Sequence, residues 1–190
     1  IRDLRMSRGL GDVYKRQLVN TISNLLIYVF NALATGGAVV ASQALGAKKK
    51  ETGKVVANQL ILICIIFSVI IAGICILFDR QILTLIYGKV EQEVMGQAVT
   101  YLFITGFSFP FISIYDGASS LLRSMGKAST SLIVSAIMNG INILSNAIFV
   151  FGYGMGIAGV GYGTLISRVI AGLILSLIHI SEPTRHAQIS

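Results

Sequence analysis

Residues 58–78, NQLILICIIFSVIIAGICILF, decide the fold class, because 21 residues pass without a charge and without the alternation of a membrane-spanning strand. A helix of about 20 mostly apolar residues crosses the hydrocarbon core of a bilayer. Three other uncharged runs accompany this one, at 17–47, 94–115 and 128–167. The sequence therefore predicts an all-α, polytopic transmembrane helix bundle with about five spans.

The composition excludes an ordinary soluble protein. Hydrophobic residues make up 54% of the 190 residues, charged residues 12%, and the mean hydropathy is +0.79. A soluble domain carries about 25% charged residues, so this chain cannot cover a water-soluble surface of its size. A cytosolic enzyme and a disordered module are both excluded, and a lipid bilayer is the expected partner.

The five predicted helices and the intervening loops form one transmembrane domain over residues 18–178. The helices are expected at about 18–45, 54–78, 94–124, 130–151 and 157–177, with a loop at 79–93. Pro110 lies inside the third helix, where it should kink the helix or free the carbonyl near Gly106.

The two ends of the chain, 1–17 and 179–190, are polar and change abruptly to apolar sequence. The strings DVYKRQ and SLIHISEPTRH resemble translated sequencing-adapter sequence. We therefore expect both polar tails to be non-native and the native chain to be longer.

The net charge of +7 raises the possibility of nucleic-acid binding, but the positions of the charges argue against it. Residues 18–178 hold nine basic and five acidic side chains, a net of +4, and the basic ones lie mostly in short loops. Basic loops at 47–53 and 123–127 alternate with non-basic ones, which is typical of positive-inside topology. These two loops are expected to face the cytoplasm, and no nucleic acid is expected as a partner.

Asp116 is the most informative polar residue, because an aspartate near the centre of a span costs about 2.5–3.5 kcal/mol on insertion scales. It must face a cavity, a cation or a partner. The functional interpretation is a protonatable or cation-binding carboxylate. The alternative is a structural ion pair with another side chain, or an aspartate at the membrane edge.

The predicted helix at 130–151 carries a second polar face, formed by Asn139, Asn142 and Asn146 at i, i+3 and i+7. These amides can coordinate cations, bind a polar substrate or tie helices together, and the last role is the most common in membranes. In the predicted helix at 157–177, Thr164 and Arg168 share a face, and the arginine is expected to face the bundle or reach toward the cytoplasmic surface.

Other candidate sites have simpler interpretations. The glycine-rich segment 152–163, GYGMGIAGVGYG, favours close helix packing over a phosphate-binding loop, since no Lys-Ser/Thr follows it. Cys64 and Cys75 are expected to be buried and inert. No cluster of His, Cys or carboxylate side chains has metal-ligand spacing, so neither a metal nor a cofactor is predicted.

Three segments resemble the multidrug and toxic compound extrusion (MATE) transporters. TGGAVVASQALGAKKKETG (35–53) is similar to the motif of the second helix in that family, and FPFISIYDGASSLLRSMGKAST (109–130) to the fourth-helix signature. INILSNAIFVFGYGMGIAGVGYGTLISR (141–168) is similar to helices five and six. The resemblance implies helices 2–6 of a protein with about twelve spans in two lobes. The first helix and the C-terminal lobe would then lie outside this sequence.

The resemblance also implies a cation site. Many members have Asn-x-x-x-Asp in the fifth helix, which falls here on Asn142 and Asn146, and a threonine 18 residues later, which falls on Thr164. The fourth helix of the family usually supplies an asparagine where this chain has Asp116, with Ser119 one turn on. In the family's numbering, the carboxylate has thus moved from the fifth helix, which carries Asn142 and Asn146 here, to the fourth, which carries Asp116. Both H⁺ and Na⁺ therefore stay open as the coupling ion.

The resulting hypothesis is a fragment of a cation-coupled secondary antiporter that exports drugs or other cationic and amphipathic small molecules. It would be a multi-pass protein of a prokaryotic plasma or inner membrane and not an enzyme. A lipid-linked oligosaccharide flippase of the same superfamily is one alternative. A non-catalytic membrane scaffold is another, but it leaves Asp116 unexplained. An intramembrane enzyme is disfavoured, since residues 18–178 contain no histidine and no span contains paired carboxylates.

Overall fold

The computed structural model of the chain describes residues 2–47, 50–88 and 92–186, and every regular element in these ranges is helical. The expected all-α bundle is therefore confirmed. The elements, in chain order, are α1 (Arg2–Gly46), α2 (Lys50–Leu77), α3 (Asp79–Tyr87), α4 (Gln92–Gly106), α5 (Phe109–Ser124), α6 (Ala128–Ala147), a π-helical turn (Ile148–Gly152) and α7 (Gly156–His186).

Long apolar helices account for the membrane-spanning character. Four segments in the described part are long and apolar enough to cross a bilayer: Asn24–Ala44, Glu51–Leu77, Ala128–Gly152 and Gly156–Ile178. The pair α4 and α5 passes the same criteria only when both helices are taken together, with a bend of 50° between them. Counting that pair as one broken span gives the five spans that the sequence predicts.

The broken span corrects the prediction of one helix over 94–124. Helix α4 ends at Gly106 and α5 begins at Phe109, so Pro110 lies in the first turn of the second helix. The missing N–H of a proline costs nothing there, because a first-turn N–H has no intrahelical acceptor. The backbone closes the break with a bond from Ser108 N to the carbonyl of Thr105, at 2.9 Å.

Helix α3 corrects the prediction of a loop over 79–93. Leu83 on this short helix is 1% exposed, whereas Leu85 is 87% exposed, so α3 packs one side against the bundle. Gly88, with φ of 69°, ends the helix in the left-handed region that favours glycine. The charges of the segment, including Asp79 and Arg80, favour the prediction of a loop, although its apolar residues form one side of a short helix.

The remaining boundaries differ from the predictions mainly at the ends. Helix α1 extends back to Arg2, α2 begins at Lys50, and α7 continues to His186, so much of both polar tails is helical. Helix α6 gives way to the π-helical turn after Ala147 rather than continuing as α-helix to 151. Residues 1, 48, 49, 89–91 and 187–190 lie outside the described residues, including two lysines of the predicted cytoplasmic loop 47–53. The non-native origin of the tails stays a prediction.

The core forms where α1, α2 and α5 meet. The ring of Phe30 packs edge-on against Phe67 at 6.3 Å and against Phe109 at 5.8 Å between ring centroids. Glycines bring the helices together: a Cβ on Gly117 would lie 2.9 Å from Ile61 Cδ1, and one on Gly172 would lie 2.8 Å from the Phe111 carbonyl oxygen. Gly117 and Gly172 thus allow close helix packing at these two positions.

Candidate functional site

The middle of α5 buries a carboxyl group. Asp116 is 6% exposed, and its Oδ2 atom is buried without a hydrogen-bond partner in the described part of the chain. Ser113 and Ser120, at i−3 and i+4 from Asp116 on the same helix, have other partners. Ser113 Oγ donates to the carbonyl oxygen of Cys64 on α2 at 2.9 Å, and Ser120 Oγ accepts from Arg123 Nη2 at 2.8 Å. A buried acceptor left unpaired is costly, so this oxygen needs a ligand or a proton.

Two arginines lie within electrostatic range of Asp116. Arg123, on the same helix, donates to Ser119 Oγ at 2.9 Å as well as to Ser120. Arg168, on α7, donates from Nη1 to Ser108 Oγ at 2.8 Å. Both guanidinium groups are therefore held by neutral hydroxyls, while the carboxyl group keeps an unpaired oxygen.

Three of the predicted site residues are joined by hydrogen bonds between α6 and α7. Asn146 Nδ2 donates to Asn142 Oδ1 at 3.0 Å, and Asn142 Nδ2 lies 3.4 Å from Thr164 Oγ1 and 3.3 Å from Ser167 Oγ. Asn142 thus ties the two helices together. Asn146 Oδ1, by contrast, is a second buried oxygen with no partner in the regions described.

Gly163 determines the space around this amide. A Cβ at Gly163 would collide with Asn146 Oδ1 and would lie 3.1 Å from the Asn146 backbone nitrogen. The glycine therefore allows α6 and α7 to approach at the level of Asn146. With Asn146 Oδ1 and Asp116 Oδ2, the bundle holds two buried oxygens of the type that binds Na⁺ or another hard cation.

Ser119 is placed apart from the three-residue network. It forms a short hydrogen bond with Ser131 at the start of α6 and accepts from Arg123. Asp116 likewise has no hydrogen bond to Asn142, Asn146 or Thr164 in the described structure. It approaches them through Arg168, which is one turn after Thr164 and within electrostatic range of the carboxyl group.

Sequence reasoning missed two members of the site. Ser167 lies three residues after Thr164, so its position on the same helical face was a usable signal. Tyr101 on α4 shares a hydrogen bond with Thr164 and interacts electrostatically with Arg168. Nothing in the local sequence distinguishes this tyrosine, since its role depends on the packing of α4 against α7.

We expect Asn142→Ala to destabilise the bundle by about 1 kcal/mol, because interhelical polar contacts in membranes contribute about 0.6 kcal/mol each and Asn146 would lose its partner. Asn139→Ala is the matched control, since exposed Asn139 Nδ2 bonds the carbonyl of Ser135 on its own helix at 2.9 Å. In thermal unfolding measurements in detergent, Asn142→Ala should lower the apparent melting temperature and Asn139→Ala should not. Equal losses in both variants would contradict the tie between α6 and α7.

A classical metal centre is not indicated. No group of three or more His, Cys, Asp or Glu side chains that could hold a metal ion occurs among the residues that the structure describes. A cation bound at Asp116 would depend on that carboxylate and on neutral amide and hydroxyl oxygens, which are ligands for hard cations rather than for zinc or copper.

The decisive comparison is with protein families. The model of the MatE family matches residues 16–148, which is most of the chain. The chain belongs to the MatE family. The resemblance that the three sequence segments indicate is thereby confirmed.

Curated relatives of this MatE chain include bacterial exporters. Multidrug export protein MepA of Staphylococcus haemolyticus is 32% identical over 143 residues, which is 75% of this chain and 31% of the relative. The uncharacterized transporter YisQ of Bacillus subtilis is 30% identical over 167 residues, 86% of this chain and 36% of the relative. The MatE chain thus spans about a third of the length of these relatives. Their names are those of transporters, which agrees with the prediction that the chain is not an enzyme.

Solved structures show the same fold. A MATE transporter in the bent conformation gives a TM-score of 0.81 at 23% identity, covering 88% of this chain and 38% of that one. An outward-facing multidrug resistance MATE transporter gives 0.80 at 20% identity, covering 92% and 41%. The MatE chain is therefore a multi-pass helical membrane protein, and its relatives point to a bacterial source.

Proposed function

We propose that the chain is part of a cation-coupled secondary antiporter of the bacterial plasma or inner membrane, which exports drugs or other cationic or amphipathic small molecules. The observation that carries this proposal is the buried Asp116 carboxyl group, whose Oδ2 atom has no partner in the described structure. An intramembrane acid of this kind is a functional-site hypothesis by default, because burial without a partner is costly. The name of the Staphylococcus haemolyticus relative, a multidrug export protein, supports the substrate class.

Asp116 would bind the coupling cation. A bound proton or Na⁺ neutralises the carboxylate inside a low-dielectric bundle, and this differential binding shifts the equilibrium between inward-facing and outward-facing states. Asn142, Asn146 and Thr164 would line the same polar chamber. Ser119, which holds Arg123 and Ser131, would contribute through the position of α5 rather than as a ligand.

The choice between H⁺ and Na⁺ depends on which group carries the charge. An amide cannot take up a proton, so Asn146 cannot relay protons where many family members have an aspartate. Among the candidate site residues of this chain, proton coupling would therefore act through Asp116. Sodium coupling could use Asp116 together with neutral oxygens, of which Asn146 Oδ1 has no partner in the described chain.

The test is efflux of a fluorescent cationic dye by the full-length protein in proteoliposomes, with either a pH gradient or a Na⁺ gradient imposed. We expect one gradient to drive efflux and its collapse by nigericin or monensin to abolish it. Transport of a lipid-linked oligosaccharide in the same vesicles without dye efflux would support the flippase alternative. No gradient-dependent transport of either substrate would contradict the antiporter and favour a scaffold.

A further inference from the structure

Arg168 lies at the middle of a membrane span and has a weak partner for its charge. It is near the centre of the apolar segment Gly156–Ile178 of α7, and its Nη1 atom donates to Ser108 Oγ at 2.8 Å. Charged side chains at this depth are costly and usually pair with an opposite charge. A guanidinium has five N–H donors, so one neutral hydroxyl satisfies only part of it.

The opposite charge is close by and is incompletely bonded. Asp116 on α5 is within electrostatic range of Arg168, and its buried Oδ2 atom has no partner in the described ranges. Unlike charges attract strongly inside a low-dielectric bundle. In this structure Arg168 is bonded to Ser108 and not to Asp116. Such an arrangement is expected when a proton or a cation has neutralised the Asp116 carboxylate.

The serine that holds Arg168 marks the break between α4 and α5. Ser108 precedes the first residue of α5, and its own hydroxyl also reaches the carbonyl of Thr105 on α4 at 2.6 Å. Asp116 follows eight residues later, about 12 Å along the helix axis. If the Arg168 guanidinium moved from Ser108 to Asp116, its contact at the 50° bend would be released, and a new contact would form farther along α5.

The other charged and titratable groups near Asp116 fit this exchange less well. Arg123 is exposed, lies on the same helix and is held by Ser119 and Ser120. Cys64 on α2 interacts with Asp116 but supplies no positive charge, and Tyr101 on α4 interacts with Arg168. Among the described residues, Arg168 is thus the half-buried basic group that a second helix brings toward the carboxyl group.

We propose that Arg168 is an intramolecular competitor of the coupling cation: it is bound to Ser108 while Asp116 is protonated or occupied, and it moves to the Asp116 carboxylate when the ion leaves. This inference rests on the proposed function of Asp116 as the ion site. It gives Arg168 a positioning role, because occupancy of the site then determines which contacts hold the bend between α4 and α5.

The experiment measures the half-saturating concentration of the driving ion for dye efflux by the full-length protein in proteoliposomes. Arg168→Gln removes the competitor, so the apparent ion affinity should rise by about five-fold or more. Ser108→Ala removes the alternative contact of the guanidinium, so the affinity should fall by about two- to five-fold. Ser108→Ala changes no charge, and its effect should disappear in the Arg168→Gln background.

Arg123→Gln is the control for the loss of a nearby positive charge without exchange of partners. If Arg168→Gln and Arg123→Gln raise the affinity equally, Arg168 acts only through its field and the proposal is overturned. The same holds if Ser108→Ala leaves the affinity unchanged, or if its effect persists without Arg168. Should Arg168→Gln fail to accumulate in the membrane, Arg168→Met, which also removes the positive charge, provides the same cycle with and without Ser108→Ala.

These outcomes are separate from a failure of the proposed function. If Asp116→Asn keeps normal ion-driven efflux, Asp116 is not the coupling site and both ideas fail. If Asp116→Asn abolishes the coupling but the Ser108 and Arg168 variants do not shift the affinity in opposite directions, the competitor role alone is overturned.

Discussion

Replacing Asp116 by asparagine in the full-length protein is expected to lower the rate of efflux driven by the ion gradient by about tenfold or more. A coupling free energy between two sites is typically about 1–3 kcal/mol, which corresponds to about 5–150-fold in affinity. The substitution keeps the size and most hydrogen-bonding capacity of the side chain but removes the charge that a proton or Na⁺ would neutralise. Efflux driven by the ion gradient should fall, while protein abundance and downhill dye equilibration should be unchanged.

Glu93→Gln is the matched control, because Glu93 is an exposed acid in the first turn of α4, on a different helix from the buried carboxyl group. Its removal should leave gradient-driven efflux unchanged. The position of the coupling site would have to be sought elsewhere in the protein if the Asp116 and Glu93 variants behaved alike.

Replacing Gly172 by alanine is expected to destabilise the bundle by about 1–3 kcal/mol, the usual cost of overpacking. A Cβ there would lie 2.8 Å from the Phe111 carbonyl oxygen and 3.4 Å from the Phe111 Cα. These are backbone atoms of α5, which cannot rotate away as a side chain can, so α5 and α7 must separate. The apparent melting temperature of the detergent-solubilised protein should fall.

Gly73→Ala is the control for this substitution, since Gly73 lies inside α2, about one turn before its C-terminal end, and a Cβ there would meet nothing within 4 Å. Alanine is the better helix former by up to about 1 kcal/mol, so this variant should be neutral or more stable. A Gly172→Ala protein as stable as Gly73→Ala would show that α5 and α7 do not pack this closely in the membrane.

Much of the fold follows from the sequence, because lipid requires long apolar helices whose backbone bonds are satisfied internally. The runs around α2 and α6 therefore predict spans directly. The break at Ser108 could not be located in the same way, since Pro110 can either kink a helix or start a new one, and packing against α7 determines which. Helix α3 was missed because its two charges lie at its start and its apolar residues are too few for a span.

The site was predictable where residues share a helix face. The spacing of Asn142 and Asn146 places both amides on one side of α6, and the structure connects them to Thr164. The partners of Ser119, Arg168 and Tyr101 were not predictable, because they lie on other helices and depend on the angle of the broken span. Asp116 itself was evident from the cost of an acid in an apolar run, although its missing partner could be seen only in the structure.

The short connection between α6 and α7 has a consequence for biogenesis. Gly154 and Gly156, with φ of 65° and 55°, reverse the chain within a few residues, so the two helices are neighbours as soon as both have been synthesised. Asn142, Asn146, Thr164 and Ser167 then satisfy much of one another's hydrogen bonding before any other helix arrives. We expect the pair to leave the translocon as a helical hairpin, with the amide nitrogens of Asn142 and Asn146 already hydrogen-bonded.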